Sequence, residues 1–346
     1  MTRRRLIIPL LVLLIVVAGY TWWWLEAAGQ VRLGIARWAE QRRATGWTVD
    51  YTLGVSGYPF SLTATIDQPR IVAESGKWRW QGPRITSHAA PWRLSEITVE
   101  FPGTHIAAIP AAAPEMTVVA AKATGTAEVS VAGAIEHIAA EITSASLSTP
   151  EFSAFRAARI ALRATEAPPD ARPQAGSPTP PPGPTVVAEI ERLVLPDTIR
   201  GALGQTVERA SLNGQLTGRL PPGQPLKDAV VAWRDQGGTL EIRELSAIWG
   251  PLTIAAAGTL ALDGNMQPQG ALNARARGYN ETVDALVNAG LVNRRAGANV
   301  KVAFGVLGKQ PQGGGAPEIT VPVTVQNSWI YLGPVGLLPI PPLVWD

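Results

Sequence analysis

Thr48-Val49-Asp50-Tyr51-Thr52-Leu53-Gly54-Val55-Ser56-Gly57-Tyr58-Pro59-Phe60-Ser61-Leu62-Thr63-Ala64-Thr65-Ile66 is the stretch that decides the fold. Val49, Tyr51, Leu53 and Val55 alternate with Thr48, Asp50, Thr52 and Gly54, and after Gly57-Tyr58-Pro59 the alternation resumes with Phe60, Leu62, Ala64 and Ile66. Successive side chains of a strand point to opposite faces, so this period of two predicts two strands, each with one apolar face. Pro59 has no N–H to give to a ladder, which places the join at Gly57, Tyr58, Pro59 and Phe60 as a structural turn.

Downstream the pattern repeats. Further short strands are expected at Ile71 to Glu74, Trp78 to Gln81, Arg84 to His88 and Glu96 to Phe101, a meander. From Met116 to Leu162 Ala, Val, Ser and Thr alternate weakly, as in Ala127, Val129 and Val131 and in Ile138, Ala140 and Ile142, and more sheet is expected. Residues 167–185 hold eight prolines and are read as a loop or polyproline II excursion that neither pairs as strand nor winds as helix.

Beyond it, Gly258-Thr-Leu-Ala-Leu leads through the hairpin signal Asp263-Gly264-Asn265 into Gly270-Ala-Leu-Asn-Ala. Asn280 is expected to cap a helix from Glu281 to Ala289. A last pair, Ile319 to Gln326 and Trp329 to Leu332, turns at Asn327-Ser328, and the apolar tail Gly333 to Leu343 suits a segment lying across another surface.

Upstream, Leu6 to Leu25 carry no charge, flanked by Arg3, Arg4 and Arg5 and closing on Trp22, Trp23 and Trp24. At ~1.5 Å per residue this run covers roughly the ~30 Å hydrocarbon core of a bilayer. A signal peptide has a shorter apolar region ending in small residues. Here bulky aromatics end it, and Trp favours headgroup depth, so a retained anchor is expected although Ala27-Ala28-Gly29 follow. Arg32, Arg37, Arg42 and Arg43 balance the basic count on the far side, but the three arginines abut the span directly. The N-terminus is read as cytoplasmic and the body as exported. Ala28, Val31, Ile35 and Trp38 keep helical spacing past the span, and Gly46 ends it.

The expected fold class is mainly β, a β-rich α+β: an extended, twisted antiparallel sheet with one or two packed helices, preceded by an N-terminal transmembrane helix. The expected division is 1–26 for the cytoplasmic tip and anchor, 27–165 for a helix and N-terminal β region, 166–185 for the Pro-rich loop, and 186–346 for a C-terminal β region with short helices, either continuous with the first or separate from it. Only 16% of the 346 residues are charged and the formal charge is +3, without a basic stripe, which points away from nucleic acid. Cysteine is absent from the sequence, which removes thiol catalysis and disulfides.

Phosphate loops, dinucleotide fingerprints, nucleophile elbows and zinc helices are not found in the sequence. His88, His105 and His137 have no ligand spacing, so neither a metal nor a cofactor is expected. Asp235, Glu241, Glu244 and Asp263, interleaved with Arg234 and Arg243, read better as charged strand edges than as paired catalytic carboxylates. Twelve tryptophans stand against five each of Phe and Tyr. Trp47, Trp78, Trp92 and Trp249 are the candidates for contact with lipid or a partner, though burial in a thin core explains such residues as well.

Trp38, Gly46, the Gly57-Tyr58-Pro59-Phe60 signature, Trp78, Pro91-Trp92 and Phe101-Pro102-Gly103 resemble an alphaproteobacterial envelope family known only as a domain of unknown function. Ile248-Trp249-Gly250-Pro251-Leu252, Gly258-Thr-Leu-Ala-Leu-Asp and Ile330-Tyr331-Leu332-Gly333-Pro334 also look like the end of AsmA-type proteins. The resemblances imply an inner-membrane anchor, a periplasmic body and a long groove-forming sheet concerned with envelope lipids. The expected function is therefore non-enzymatic contact with phospholipid or another envelope component through an apolar sheet face. The alternatives are a protein-binding scaffold or assembly factor of the envelope and, behind it, an envelope hydrolase.

Overall fold

The computed structural model describes residues 2–76, 78–109, 113–130, 135–149, 154–167, 181–197, 201–218, 220–221, 226–308, 317–332, 335–340 and 342–343. Helix α1 (Thr2–Ala44) is one continuous rod that carries the uncharged run and continues beyond it. It is long and apolar enough to cross a membrane. Gly46, at φ 82, ends it, and strand β1 (Thr48–Ser56) turns back along the helix.

Strand β2 (Leu62–Val72) pairs with β1 antiparallel, setting Leu53 opposite Ile66 and Val55 opposite Ala64. The expected separate strand at Ile71 to Glu74 is instead the end of β2. A register shift between Asp50 and Thr52 lets β1 follow its partner out to Thr48 opposite Val72, and the turn comes only at Ala73 to Gly76.

The next strands are β3 (Arg79–Gln81), β4 (Arg84–Ala90), β5 (Arg93–Glu100), β6 (Thr104–Ile109), β7 (Ala113–Val119), β8 (Lys122–Val129), β9 (Ile135–Ser148) and β10 (Phe155–Thr165). They form two tiers between β2 and β9. The first half of β2, Leu62 to Asp67, pairs with β4, and its last residues, Arg70 to Val72, pair with β3. At the other side β9 receives β8 along Ile135 to Thr143 and β7 along Ser146 to Ser148. Gln68 and Ser144, both with positive φ, stand where β2 and β9 change partners. Forking one edge into two ladders needs such a local bend.

Beyond β10 follow β11 (Pro182–Val194), β12 (Thr206–Thr217), α2 (Leu226–Asp235), β13 (Leu240–Trp249), β14 (Leu252–Leu262), β15 (Pro268–Arg277), α3 (Tyr279–Asn288), α4 (Arg294–Leu307), β16 (Glu318–Gln326), β17 (Trp329–Leu332) and β18 (Val335–Pro339). Among the described residues all strands belong to one 18-stranded sheet, antiparallel at every pairing, and β10 pairs with β11 across the Pro-rich segment. Most of that segment, 168–180, lies outside the described residues. Its end does not stay a loop: Pro182 opposes Thr217 and Thr185 opposes Gln215, with a register shift between them. Proline is tolerated there because it sits at the strand's first residue and beside an irregularity.

The two C-terminal turns form where expected. Asp263 closes the β14–β15 turn by accepting the N–H groups of Asn265 and Gln267 at 2.8 Å each. Asn327 and Ser328 both take positive φ between β16 and β17. The tail contributes β18 along β17, and Leu343 is pinned by both side-chain amide atoms of Gln267.

Helix α3 differs from expectation at its start. Asn280 lies inside it, and Gly278, left-handed at φ 69, stands at the N-cap. The chain passes from β15 into α3 over the Pro251 carbonyl, which a Cβ on Gly278 would meet at 1.8 Å. Tertiary crowding has therefore displaced a side-chain cap. The expected strand-edge charges are also distributed differently: Asp235 ends α2, Asp263 is in a turn, and Glu241 and Glu244 lie on β13, which has a neighbour on both sides.

Candidate functional site

The register carries one apolar face across the sheet. Ala123, Ile142, Ile160 and Ile190 stand side by side on β8 to β11, and the row continues through Ala210, Ala247, Ile254, Ala276 and Ile319 to β16. A parallel row holds Gly125, Ala140, Leu162 and Ala188, then Leu212, Leu245, Ala256, Ala274 and Val321. Toward α1 this second row passes Val99 and Ser87 to Ala64 and Val55. At ~4.8 Å per strand the stretch from β8 to β16 spans roughly 40 Å.

The opposite face is polar. Arg159 on β10 reaches Glu141 on β9 at 2.9 Å and Glu189 and Glu191 on β11 at 3.5 Å each. Its hydrogen bond, and then its charge, hold the Glu141 carboxyl below the ordinary carboxylate range, and Glu141 in turn raises the Arg159 guanidinium. Ser211 and Ser246 share a hydrogen bond at 2.7 Å on the same side.

Helices cover the apolar face at its two ends. At the N-terminal end, Trp24 and Ala28 of α1 pack on Leu62, with Val55 against them. At the far end, Val230 and Trp233 of α2 pack on Met266, Leu216 and Leu262, while Tyr279 of α3 and Phe304 of α4 pack on Ala276, Ile319 and Leu252. Between these covers the face is open: Ile138 is 39% exposed, Leu162 41% and Leu245 43%. A shallow apolar cleft of about 220 Å³ lies here among Ala145, Leu147, Phe155, Ala157, Ile160 and Leu193. A second, of about 300 Å³, opens beside α2 between Leu216, Val230, Trp233, Leu260 and the tail residue Leu343. Contiguous exposed apolar surface of this kind marks a binding face more often than a free one.

The four tryptophans singled out by sequence are not gathered into one groove. Trp47 and Trp78 meet at 5.5 Å between ring centroids, with the Arg42 guanidinium 5.4 Å from the Trp47 ring. Trp249 is at the end of β13 and donates its indole N–H to the Gly204 carbonyl at 2.8 Å. Trp92 is 75% exposed on the β4–β5 turn. Of the three tryptophans that close the uncharged run, Trp22 and Trp23 are exposed, but Trp24 is only 5% exposed and meets the sheet. Arg3, Arg4 and Arg5 belong to α1.

The Gly57-Phe60 turn proves to be the docking point of α1. Tyr20 donates its hydroxyl to the Pro59 carbonyl, Thr21 and Tyr58 share a hydroxyl hydrogen bond at 2.7 Å, and Trp24 donates to the Ser61 carbonyl at 3.0 Å. Gly57, at φ 104, has no room for a side chain, since a Cβ would stand 2.7 Å from the Ser61 carbonyl oxygen.

His105 is the unusual histidine. It is 9% exposed, stacks on Trp80 at 5.6 Å, and both ring nitrogens lack a hydrogen-bond partner. Among the described residues, no three His, Asp or Glu side chains converge as a metal ligand set. Sequence reading expected an apolar sheet face but did not assign these rows to it. Their signal was the alternation in Ile138, Ala140 and Ile142, repeated in Ile160 and Leu162, but only the register shows that these residues share one face with Leu212 and Leu245.

A family model described as "Uncharacterized protein conserved in bacteria (DUF2125)" matches residues 24–341. The chain belongs to that family. No curated protein and no solved structure matches it.

Proposed function

We propose that this member of the DUF2125 family is a single-span envelope protein of the inner membrane, with its N-terminus cytoplasmic and its body periplasmic, that contacts lipid along the apolar face of its sheet without catalysing a reaction. The observation that carries this reading is the pair of apolar rows, polar behind, covered by helices at both ends and open around Leu162. The strands of the open stretch have both edges paired, so a ligand lying on the face meets side chains rather than free backbone groups. A peptide adding to a sheet needs a free edge, whereas an acyl chain needs only apolar contact. The uncharged run of α1, with Arg3 to Arg5 abutting it, supports the anchor and its orientation. The likeness of the C-terminal half to AsmA-type proteins is in keeping with a lipid-facing sheet.

The test is photo-crosslinking in intact cells, with a benzophenone amino acid at Leu162 on the open face or at Arg163 on the polar face of the full-length chain. Radiolabelled phospholipid attached from Leu162 and not from Arg163 is the expected result. Crosslinks from Leu162 to protein alone would replace the lipid reading by the scaffold.

A further inference from the structure

The geometry points to a second membrane contact, made by the body itself: the tips of the β1–β2 and β4–β5 turns, carrying Tyr58, Phe60 and Trp92, sit in the leaflet from which α1 emerges. Depth is set by the helix. Tyr20, Thr21 and Trp24 lie in the last turns of the uncharged run, which at ~1.5 Å per residue just fills a ~30 Å core. These three residues hydrogen-bond to Pro59, Tyr58 and Ser61, so the turn is held where the run ends. The rings agree with the hydrogen bonds, with Tyr58 5.6 Å from Trp24 and 6.2 Å from Tyr20.

The second tip follows from register. Leu62 opposes Ala89, and the chain then turns through Pro91 and Trp92 before Arg93 pairs back with Ala90. Phe60 and Trp92 thus project past the same end of two neighbouring strands, ~4.8 Å apart. Each is 75% exposed, and Tyr58 is 46% exposed. Large aromatic side chains thrust from turn tips into water gain nothing, but at headgroup depth their rings are favoured. Trp22, 70% exposed and next to Thr21 in the helix, gives an exposed ring at the same depth on another side of the helix, and the tips adjoin the helix through Tyr20, Thr21 and Trp24. The occupant of this surface is therefore the bilayer leaflet. The inference rests on the anchor crossing the membrane and is independent of lipid on the sheet face.

The cysteine-free sequence allows single-cysteine variants to be labelled without background. The full-length chain is reconstituted in phosphatidylethanolamine and phosphatidylglycerol vesicles with an environment-sensitive fluorophore at Phe60→Cys, Trp92→Cys, Trp22→Cys or Glu74→Cys. Glu74 is exposed just past the opposite end of β2. Expected are blue-shifted emission at positions 60 and 92 and quenching by shallow spin-labelled lipid as strong as at 22, with neither effect at 74. Water-like, unquenched emission at 60 and 92 while 22 is quenched would overturn the inference. So would a blue shift without lipid quenching, which is the signature of a second copy of the chain on the tips. If 22 also escapes quenching, the anchor premise fails with it. Phospholipid crosslinking from Leu162 is read separately, so either result can stand without the other.

Discussion

Trp24 of helix α1 donates its indole N–H to the backbone carbonyl of Ser61 at 3.0 Å, and the same ring is buried against Leu62. One side chain thus joins the long apolar helix to the first hairpin of the sheet. Trp24→Ala removes a buried ring and leaves a carbonyl without its donor, and a loss of ~3–5 kcal/mol is expected. Trp22→Ala, at an exposed position one turn-fraction away, is expected to change stability little. Urea unfolding in detergent, with protease sensitivity of the Gly57 to Ser61 turn as a second readout, checks the contrast.

Gly278 links β15 to α3 in a left-handed conformation over the Pro251 carbonyl. Gly278→Ala adds both backbone strain and a clash, so a destabilisation above ~1 kcal/mol is expected. Asn280→Ala, which removes the residue a sequence reader would take for the cap, is expected to cost less. Thermal unfolding of the two variants decides it.

Leu272 and Leu162 lie on the same apolar face, but Leu272 is 7% exposed and Leu162 41%. Leu272→Ala is expected to cost ~2–5 kcal/mol through the cavity it leaves. Leu162→Ala, in the open stretch, is expected to cost about 1 kcal/mol or less. Equal losses measured by urea midpoint would mean that the stretch around Leu162 is closed.

The Glu141 carboxyl is held below the ordinary carboxylate range by Arg159. A depressed folded-state value means that the pair's contribution is fully present above the unfolded carboxylate pKa and is lost as pH falls through the folded one. Wild type is therefore expected to exceed Glu141→Gln in stability at neutral pH, with the gap closing in acid. The pair is partly exposed, so the gap is small and shrinks with salt. Unfolding midpoints of both proteins across pH and ionic strength measure it.

Much of the sheet is legible in local pattern. The alternation around Val55 and Ala64, the Asp263 turn and the Asn327-Ser328 turn all form where residue chemistry places them, because strand period and turn conformation are decided by a few neighbours. Elements whose starts depend on distant packing were not legible. Helix α2 forms where Val230 and Trp233 find Leu216, Leu262 and Met266, and α3 begins at Gly278 because Pro251 crosses beneath it. The site was legible only as residue types. Trp92 and Phe60 are neighbours through the Leu62–Ala89 register, and no spacing in the sequence carries that.

By itself the amino-acid sequence determined that one end is an uncharged helix of bilayer length and that the rest alternates with a period of two, because helix span and strand facing are properties of consecutive residues. It also determined that no disulfide or thiolate holds the body. Tertiary structure alone decided that the apolar sides of successive strands fall into shared rows, that helices cover those rows at the ends and leave Leu162 open, and that Trp24 packs on the sheet while Trp22 stays exposed. Register and docking join residues far apart in the chain, and their energies depend on which surfaces meet rather than on any local run.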